Sequence, residues 1–377
     1  GVPVRVIYDW VGGLGLGSHK VLSRVAEAGA EVRAFNAPAL GSPFGWMQRD
    51  HRKMLAVDGR VAYVSGLCVS ARWEGDPARN VAPWRDTGIE IEGPAVADVE
   101  HAFAQVWATA GKPMPASAFT PADAMPRAGE VTLRVLANLP NYANLYRLDQ
   151  LIATLATRTL WLTDAYYVGM PPYVQALRAA ALDGVDVRLL VPGVSNLLAV
   201  STISRAGYRT LLEAGIRVFE WNGPMLHAKT AVADGRWARV GSTNLNVVSW
   251  IGNYELDVAI ENPAIGGGLS AMFLDDLTHS TEIVLQRRRQ VRLSATPERR
   301  RRRRGRRGRT LRALAGVAGV GNTIGAAIMK RRELGEADAR VLGGAAAAIA
   351  LFAALIVAFP LVLAVPVAVV EIGRAHV

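Results

Sequence analysis

The chain alternates short β-like apolar runs with stretches of helical period, and it does so twice. The run Gly1-Val-Pro-Val-Arg-Val6 precedes a helical pattern from Ser18 to Gly29, and Gly184-Val-Asp-Val-Arg-Leu189 precedes one from Leu198 to Gly215. Each half continues with a strand, a hairpin, another strand and a helix. The last two are marked by Glu92-Gly-Pro-Ala-Val96 and Glu261-Asn-Pro-Ala-Ile265. Alternating strands and helices predict α/β sandwich domains, and the internal repeat predicts two of them. The second half also carries VTLRVLAN (131–138), TLWLTDAYY (159–167) and a helix around Tyr173 to Leu182, which have no counterpart in the first. The first domain is therefore expected to be truncated at its N-terminal side, short of one or two strands and a helix. The expected divisions are a first domain at 1–112, a linker at 113–130 and a second domain at 131–286.

Beyond residue 286 the pattern changes. Residues 287–312 hold fourteen Arg and one Glu, more than the whole net charge of +11, so the rest of the chain is close to neutral. Residues 313–340 read as an interfacial helix, a loose helix or a linker. Val341 to Val370 has no charged residue and is long enough to cross a bilayer. Pro360 and Pro366 would kink one span or turn a tight hairpin. The arginine run precedes this segment, so the positive-inside bias places the body on the cytoplasmic side of a cell membrane. The run would also attract anionic headgroups or simply remain a solvated linker. A near-neutral body argues against a nucleic-acid partner, which would want a basic groove. The one cysteine, Cys68, excludes an intrachain disulfide and reads as a small buried apolar residue.

The candidate chemistry sits on the hairpins. His51, Lys53 and Asp58 in DHRKMLAVDG share their spacing with His227, Lys229 and Asp234 in LHAKTAVADG. With six His and five Lys, chance predicts only about a tenth of one His-x-Lys pair. A single pair would read as the solvated face of a hairpin; two with Asp at the same offset read as two halves of one site. Each motif ends in Asp-Gly, a preferred two-residue hairpin loop. On a strand, His and Lys two apart face the same side. A two-residue loop at 234 and 235 would place Ser242 opposite His227 and Asn244 on the same face, a pocket for phosphate. The repeat also aligns Asp86 with Glu255, each placed to orient an imidazole. Gly66 stands where the second half has Ser242, and Cys68 where it has Asn244. Trp73, Trp84 and Trp250 read as core packing, with a lipid entrance as the alternative.

These motifs, with WRDTGIEIEGPAV and the stretch from Thr163 to Gly193, resemble the phospholipase D superfamily, in particular its bacterial cardiolipin synthase group, over residues 1 to about 285. The resemblance implies a pseudo-twofold pair of α/β sandwich domains, here with a C-terminal transmembrane segment. It also implies a metal-independent reaction without cofactor on phospholipid substrates at a membrane. One His would form a phosphohistidine and the other would act as acid and base, while Lys53, Lys229 and Asn244 stabilise phosphate oxygens. His51 would be the nucleophile by resemblance; the symmetry of the halves leaves the two roles interchangeable. The expected reaction makes cardiolipin from phosphatidylglycerol and a second phospholipid. A hydrolase, a nuclease and a catalytically silent membrane scaffold are the alternatives, and the oligomeric state is left open.

Overall fold

The computed structural model describes residues 1–14, 16–38, 47–285 and 331–334. The first half contains β1 (Arg5–Asp9), α1 (Leu16–Glu27), β2 (Glu31–Phe35), β3 (Met54–Val57), β4 (Val61–Ser65), α2 (Ala71–Glu74), β5 (Gly88–Glu92) and α3 (Val96–Thr109). Two short 3-10 turns at Ala116–Ala118 and Ala122–Ala124 lead to the second half. There follow β6 (Thr132–Asn138), α4 (Asn144–Leu155), β7 (Thr159–Thr163), α5 (Pro171–Leu182), β8 (Asp186–Pro192), α6 (Leu198–Leu212) and β9 (Arg217–Trp221). The half closes with β10 (Thr230–Ala233), β11 (Trp237–Gly241), β12 (Glu255–Glu261), α7 (Pro263–Thr278) and β13 (Ser280–Leu285). Local chemistry accounts for several boundaries. Pro171 opens α5, and Asn262 caps α7 by accepting from the N–H groups of Ala264 and Ile265.

The second half forms one mixed sheet in the order β13-β9-β8-β7-β10-β11-β12-β6. Its parallel centre is apolar on both faces, as in β8, where Val187, Leu189, Leu190 and Val191 are all buried. In the first half β1 pairs with β2 and, separately, β3-β4-β5 form a three-stranded sheet. β7 joins β8 to β10 in the second half. Among the described residues nothing takes that place between β1 and β3, so the first sheet stands in two pieces.

The halves pack sheet on sheet. Ala62, Val64 and Ile91 of β4 and β5 share a core with Leu256, Val258 and Ile260 of β12, covered by Val96, Val99 and Ala102 of α3. Full burial of each larger aliphatic is worth roughly 1.5–3 kcal/mol, so this face contributes substantially to holding the halves together.

Both hairpins turn as the Asp-Gly signal requires. Asp58 and Gly59 have φ of 54° and 63°, Asp234 and Gly235 of 55° and 66°. The register nevertheless differs from a plain two-residue loop: Val57 pairs with Val61 and Ala233 with Trp237, leaving Arg60 and Arg236 as extra residues. This bulge slides the partner strand by one. Lys229 O then accepts from Gly241 N, and continuing that register puts Thr243, not Ser242, opposite His227.

A buried ionic network supports the end of β11. Arg239 donates to Asp257 Oδ2 at 2.7 Å and lies 3.4 Å from Asp149, while Asp257 Oδ1 accepts from the N–H groups of Ser242 and Thr243. Burial raises Asp149 to about 6 against the pull of Arg239. Burial would lower Arg239, and the two carboxylates more than reverse that.

Among the described residues no helix is long and apolar enough to cross a membrane. The arginine run and Val341 to Val370 lie outside the described residues. So does most of the expected interfacial helix, except that Arg331–Leu334 is a strand, β14, pairing in parallel with β13.

Replacing Arg239 with Met should cost about 3–5 kcal/mol in urea unfolding, because two carboxylates are left buried without a cation. Breaking the exposed pair Arg236–Glu261 should cost less than about 1 kcal/mol. Equal losses would contradict the network's structural role.

Candidate active site

The site lies at the carboxyl ends of β7, β8 and β9, where α/β sheets commonly bind ligands. Thr230 at the start of β10 pairs with Thr163 at the end of β7, so His227 and Lys229, just before β10, reach this end. Gly241 and Glu255 reach it from β11 and β12. His51 and Lys53 arrive from the first half in the same way, just before β3.

Two backbone crossovers join the halves here. His51 N donates to Tyr254 O at 2.9 Å and Tyr254 N to Arg49 O at 2.9 Å. In the mirrored position His227 N donates to Arg85 O at 2.7 Å and Arg85 N to Met225 O at 2.8 Å. Each carboxylate is thereby carried to the histidine of the opposite half. His51 Nδ1 lies 2.9 and 3.1 Å from the Glu255 oxygens, and His227 Nδ1 lies 2.9 Å from Asp86 Oδ2. An ionised carboxylate only accepts, so we assign the proton to Nδ1 of both rings, leaving each Nε2 with a lone pair; Lys229 Nζ, also 2.9 Å from His227 Nδ1, then directs its protons to the His227 carbonyl. Sequence alignment of the two halves found the carboxylates but not this exchange of partners.

Electrostatics fit that assignment. Burial lowers the basicity of His51, with Lys53 adding to it and Glu255 opposing. Burial and then Lys229 bring His227 down to about 3 against Asp86. Burial pushes Asp86 up, but hydrogen bonding to His227 and the charge of Lys229 outweigh it, so the net shift is downward. Glu255 is likewise lowered overall because His51, Lys53 and Ser242 overcome its burial. The resting state pairs neutral imidazoles with ionised carboxylates. Lys53 is felt at His227 and Lys229 is felt at His51, as one shared cleft requires.

Residues 150–277 match the family model described as cardiolipin synthase, phospholipase D-like domain. That span is a phospholipase D-like domain. Cardiolipin synthase A of Pseudomonas fluorescens (strain SBW25) is 31% identical over 302 residues, covering 78% of this chain and 60% of that protein. The cardiolipin synthase of Geobacillus sp. (strain WCH70) is 30% identical over 289 residues, covering 75% and 57%. The chain thus spans about three fifths of the length of these curated relatives. Among solved structures, phosphatidylserine synthase of Haemophilus influenzae Rd KW20 shares the fold, with a TM-score of 0.54, 13% identity and 74% of each chain covered.

Within this phospholipase D frame the other expected site residues fall into three groups. Ser242 does not face the cleft as a free donor: its Oγ donates to Glu255 Oε2 at 2.5 Å and accepts from Leu256 N at 2.9 Å. It holds the carboxylate that holds His51. Asn253 adds an amide donor to Glu255 Oε1 at 3.2 Å. Gly66 also serves a carboxylate, since a Cβ there would meet Asp86 Oδ1 at 2.2 Å. The missing Cβ makes room for Asp86. Asn244 is buried and its amide nitrogen donates to Ser249 Oγ at 3.3 Å, leaving Oδ1 without a protein partner.

Asp58 and Asp234 are not brought to the site. They occupy the hairpin turns at the opposite end of their strands from His51 and His227. Asp234 accepts from the N–H groups of Thr157, Arg158 and Thr159, tying the turn to the start of β7. Left-handed φ accounts for Asp at both positions, and the capping adds to it at Asp234.

The surroundings of the two histidines differ. Trp73 packs edge-on to His227 at 5.1 Å and donates its indole N–H to Asp86 Oδ2 at 2.8 Å. Trp84 and Tyr166 also lie against His227, at 5.9 and 5.7 Å. Trp250 is core, its indole donating to buried Asp149. Trp73 and Trp84 instead wall the cleft, so the core-packing expectation holds for one tryptophan of three. Cys68 is half-buried, close enough to Lys229 and Tyr166 to influence both, and is not the sealed apolar residue expected. Sequence reading also missed Asp164, which is fully buried and accepts from the N–H groups of Leu245 and Tyr166. Burial raises Asp164 and lowers Lys229, and the two charges support one another. Lys53 and Lys229 both donate to the carbonyl of the histidine two residues earlier, which fixes their heads beside the rings.

Both imidazoles and both carboxylates bind fewer protons here than in an unfolded chain. Stability should therefore be fully developed above the ordinary histidine range and fall as pH drops from about 6.5 toward 3, by up to about 1.4 kcal/mol per unit for His227 alone. Urea unfolding at pH 7 and pH 5 checks this, and His227→Gln should flatten the difference. No change between those pH values would contradict the buried neutral imidazole.

Proposed function

We propose that the chain is a phosphatidyltransferase that forms cardiolipin from phosphatidylglycerol and a second phospholipid through a phosphohistidine. The observation that carries this reading is the crossed pairing of two imidazoles with two carboxylates in one cleft. The cardiolipin synthases among its relatives supply the substrate class.

His51, the more exposed of the two rings, uses its Nε2 lone pair to attack the phosphodiester phosphorus. A P–N bond forms and the P–O bond to the leaving alcohol breaks. His227, charged when the anionic phosphodiester enters and offsets its desolvation, gives its Nε2 proton to the leaving oxygen. In the second half-reaction His227 takes the proton of the incoming hydroxyl, that oxygen attacks phosphorus and the P–N bond breaks. Glu255 and Asp86 keep Nδ1–H engaged throughout, and Lys53 and Lys229 offset charge on the non-bridging oxygens. Neither step calls for a metal ion. A hydrolase would use the same groups with water as acceptor. We further propose that Val341 to Val370 anchors the chain in a cell membrane with this body on the cytoplasmic side.

The full chain in phosphatidylglycerol vesicles should yield cardiolipin, with His51→Ala and His227→Ala each reduced at least about a thousandfold. Acid-labile phosphoenzyme should be trapped in the wild type and vanish in His51→Ala. Headgroup release without cardiolipin would replace the transferase by a hydrolase, and label lost only in His227→Ala would exchange the two roles.

A further inference from the structure

Three loops at the site end of the fold carry exposed aliphatic side chains, and all three converge on Tyr166. Cys68, in the loop after β4, and Arg72, in α2 just beyond it, are near enough to influence the Tyr166 hydroxyl. Asn196, in the loop after β8, accepts a hydrogen bond from that hydroxyl at 2.7 Å. Asn246, after β11, donates to Tyr166 O at 2.9 Å. Tyr166 in turn touches His227, so the loops surround the mouth of the cleft.

Their outward residues are Leu67 and Val69, Val194 and Leu198, and Val247 and Val248. Val69 is fully exposed, Leu198 is 77% exposed, and the others range from 44% to 65%. The stretches that bear them, 65–71, 193–204 and 245–253, contain no charged residue. Three uncharged loops that expose aliphatic side chains around a catalytic cleft are unusual on a surface meant for water. A polyanion would call for cations there instead. At the inner edge of this rim Arg72 lies over the Trp84 ring at 5.1 Å, where it would meet an anionic headgroup.

We propose that this rim is a lipid-docking surface that sinks into the acyl region of one leaflet, so that the phosphodiester enters the cleft at headgroup depth without leaving the bilayer. The proposal rests on the phospholipid reading above and specifies how that substrate is reached. The apolar segment at 341–370 could tether the chain, but it would not by itself orient the cleft toward the membrane.

The test uses the full chain with Cys68→Ser, single cysteines at Val69, Leu198 or Leu182, and an environment-sensitive fluorophore on each. Leu182 is 71% exposed but ends α5 at the opposite end of the sheet. In phosphatidylglycerol/phosphatidylcholine vesicles, lipids brominated on their acyl chains should quench the probes at 69 and 198 at least twofold and leave 182 unchanged. This readout does not depend on turnover, so it stands or falls apart from the transferase assignment. Equal quenching at all three sites, or none at 69 and 198, would overturn the proposal. The latter would include the case in which the rim is covered by another part of the chain or a second copy. As a second arm, Val69→Asp and Leu198→Asp should lower turnover of vesicle phosphatidylglycerol at least tenfold and leave a monomeric short-chain analogue unaffected. Loss on both substrates, or on neither, would also count against the rim.

Discussion

The site depends on two hydrogen bonds that cross between the halves: Glu255 to His51 and Asp86 to His227. Neither half holds its own imidazole. Each supplies a His-x-Lys pair and the carboxylate that its partner's histidine needs, and the backbone bridges at Tyr254 and Arg85 bring them together. Catalytic geometry is thus coupled to the sheet-on-sheet interface, and a loosened interface would misorient both rings at once. The arrangement also explains why His227, Asp86 and Glu255 tolerate deep burial: each carboxylate in the resting state has donors aimed at it.

The two dyads are equivalent in topology but not in chemistry. Glu255 is held by the Ser242 hydroxyl and the Asn253 amide, whereas Asp86 is held by the Trp73 indole and fits only because residue 66 is glycine. His51 keeps about a quarter of its side chain accessible, while His227 is walled by Trp73, Trp84 and Tyr166. A more open ring beside a more enclosed one suits a division between attacking phosphorus and managing a proton.

Much of this was legible in the chain. The internal repeat led to two α/β domains, the resemblance added their pseudo-twofold pairing, and the repeated His-x-Lys spacing with the alignment of Asp86 and Glu255 led to the central side chains. What the chain did not disclose is tertiary. One bulged residue per hairpin, Arg60 and Arg236, shifted the register and with it the place of Ser242. The third member of each motif, Asp58 or Asp234, repeats for a turn conformation, so periodic recurrence alone misassigned it to catalysis. Trp73, Tyr166 and Asp164 carry no local sign of their roles, although Asp164 and Tyr166 lie in the stretch from Thr163 to Gly193 that carries the resemblance. They matter only because distant strands end beside His227 and Lys229.

The most direct test of crossed support is nitrogen-15 and proton NMR of the two imidazoles. Both Nδ1–H protons should resonate far downfield, as expected when donating to a buried carboxylate. Asp86→Asn should abolish the His227 signal and spare that of His51, and Glu255→Gln should do the reverse. If Asp86→Asn removed the His51 signal instead, each carboxylate would be serving its own half, and the crossed pairing would be contradicted.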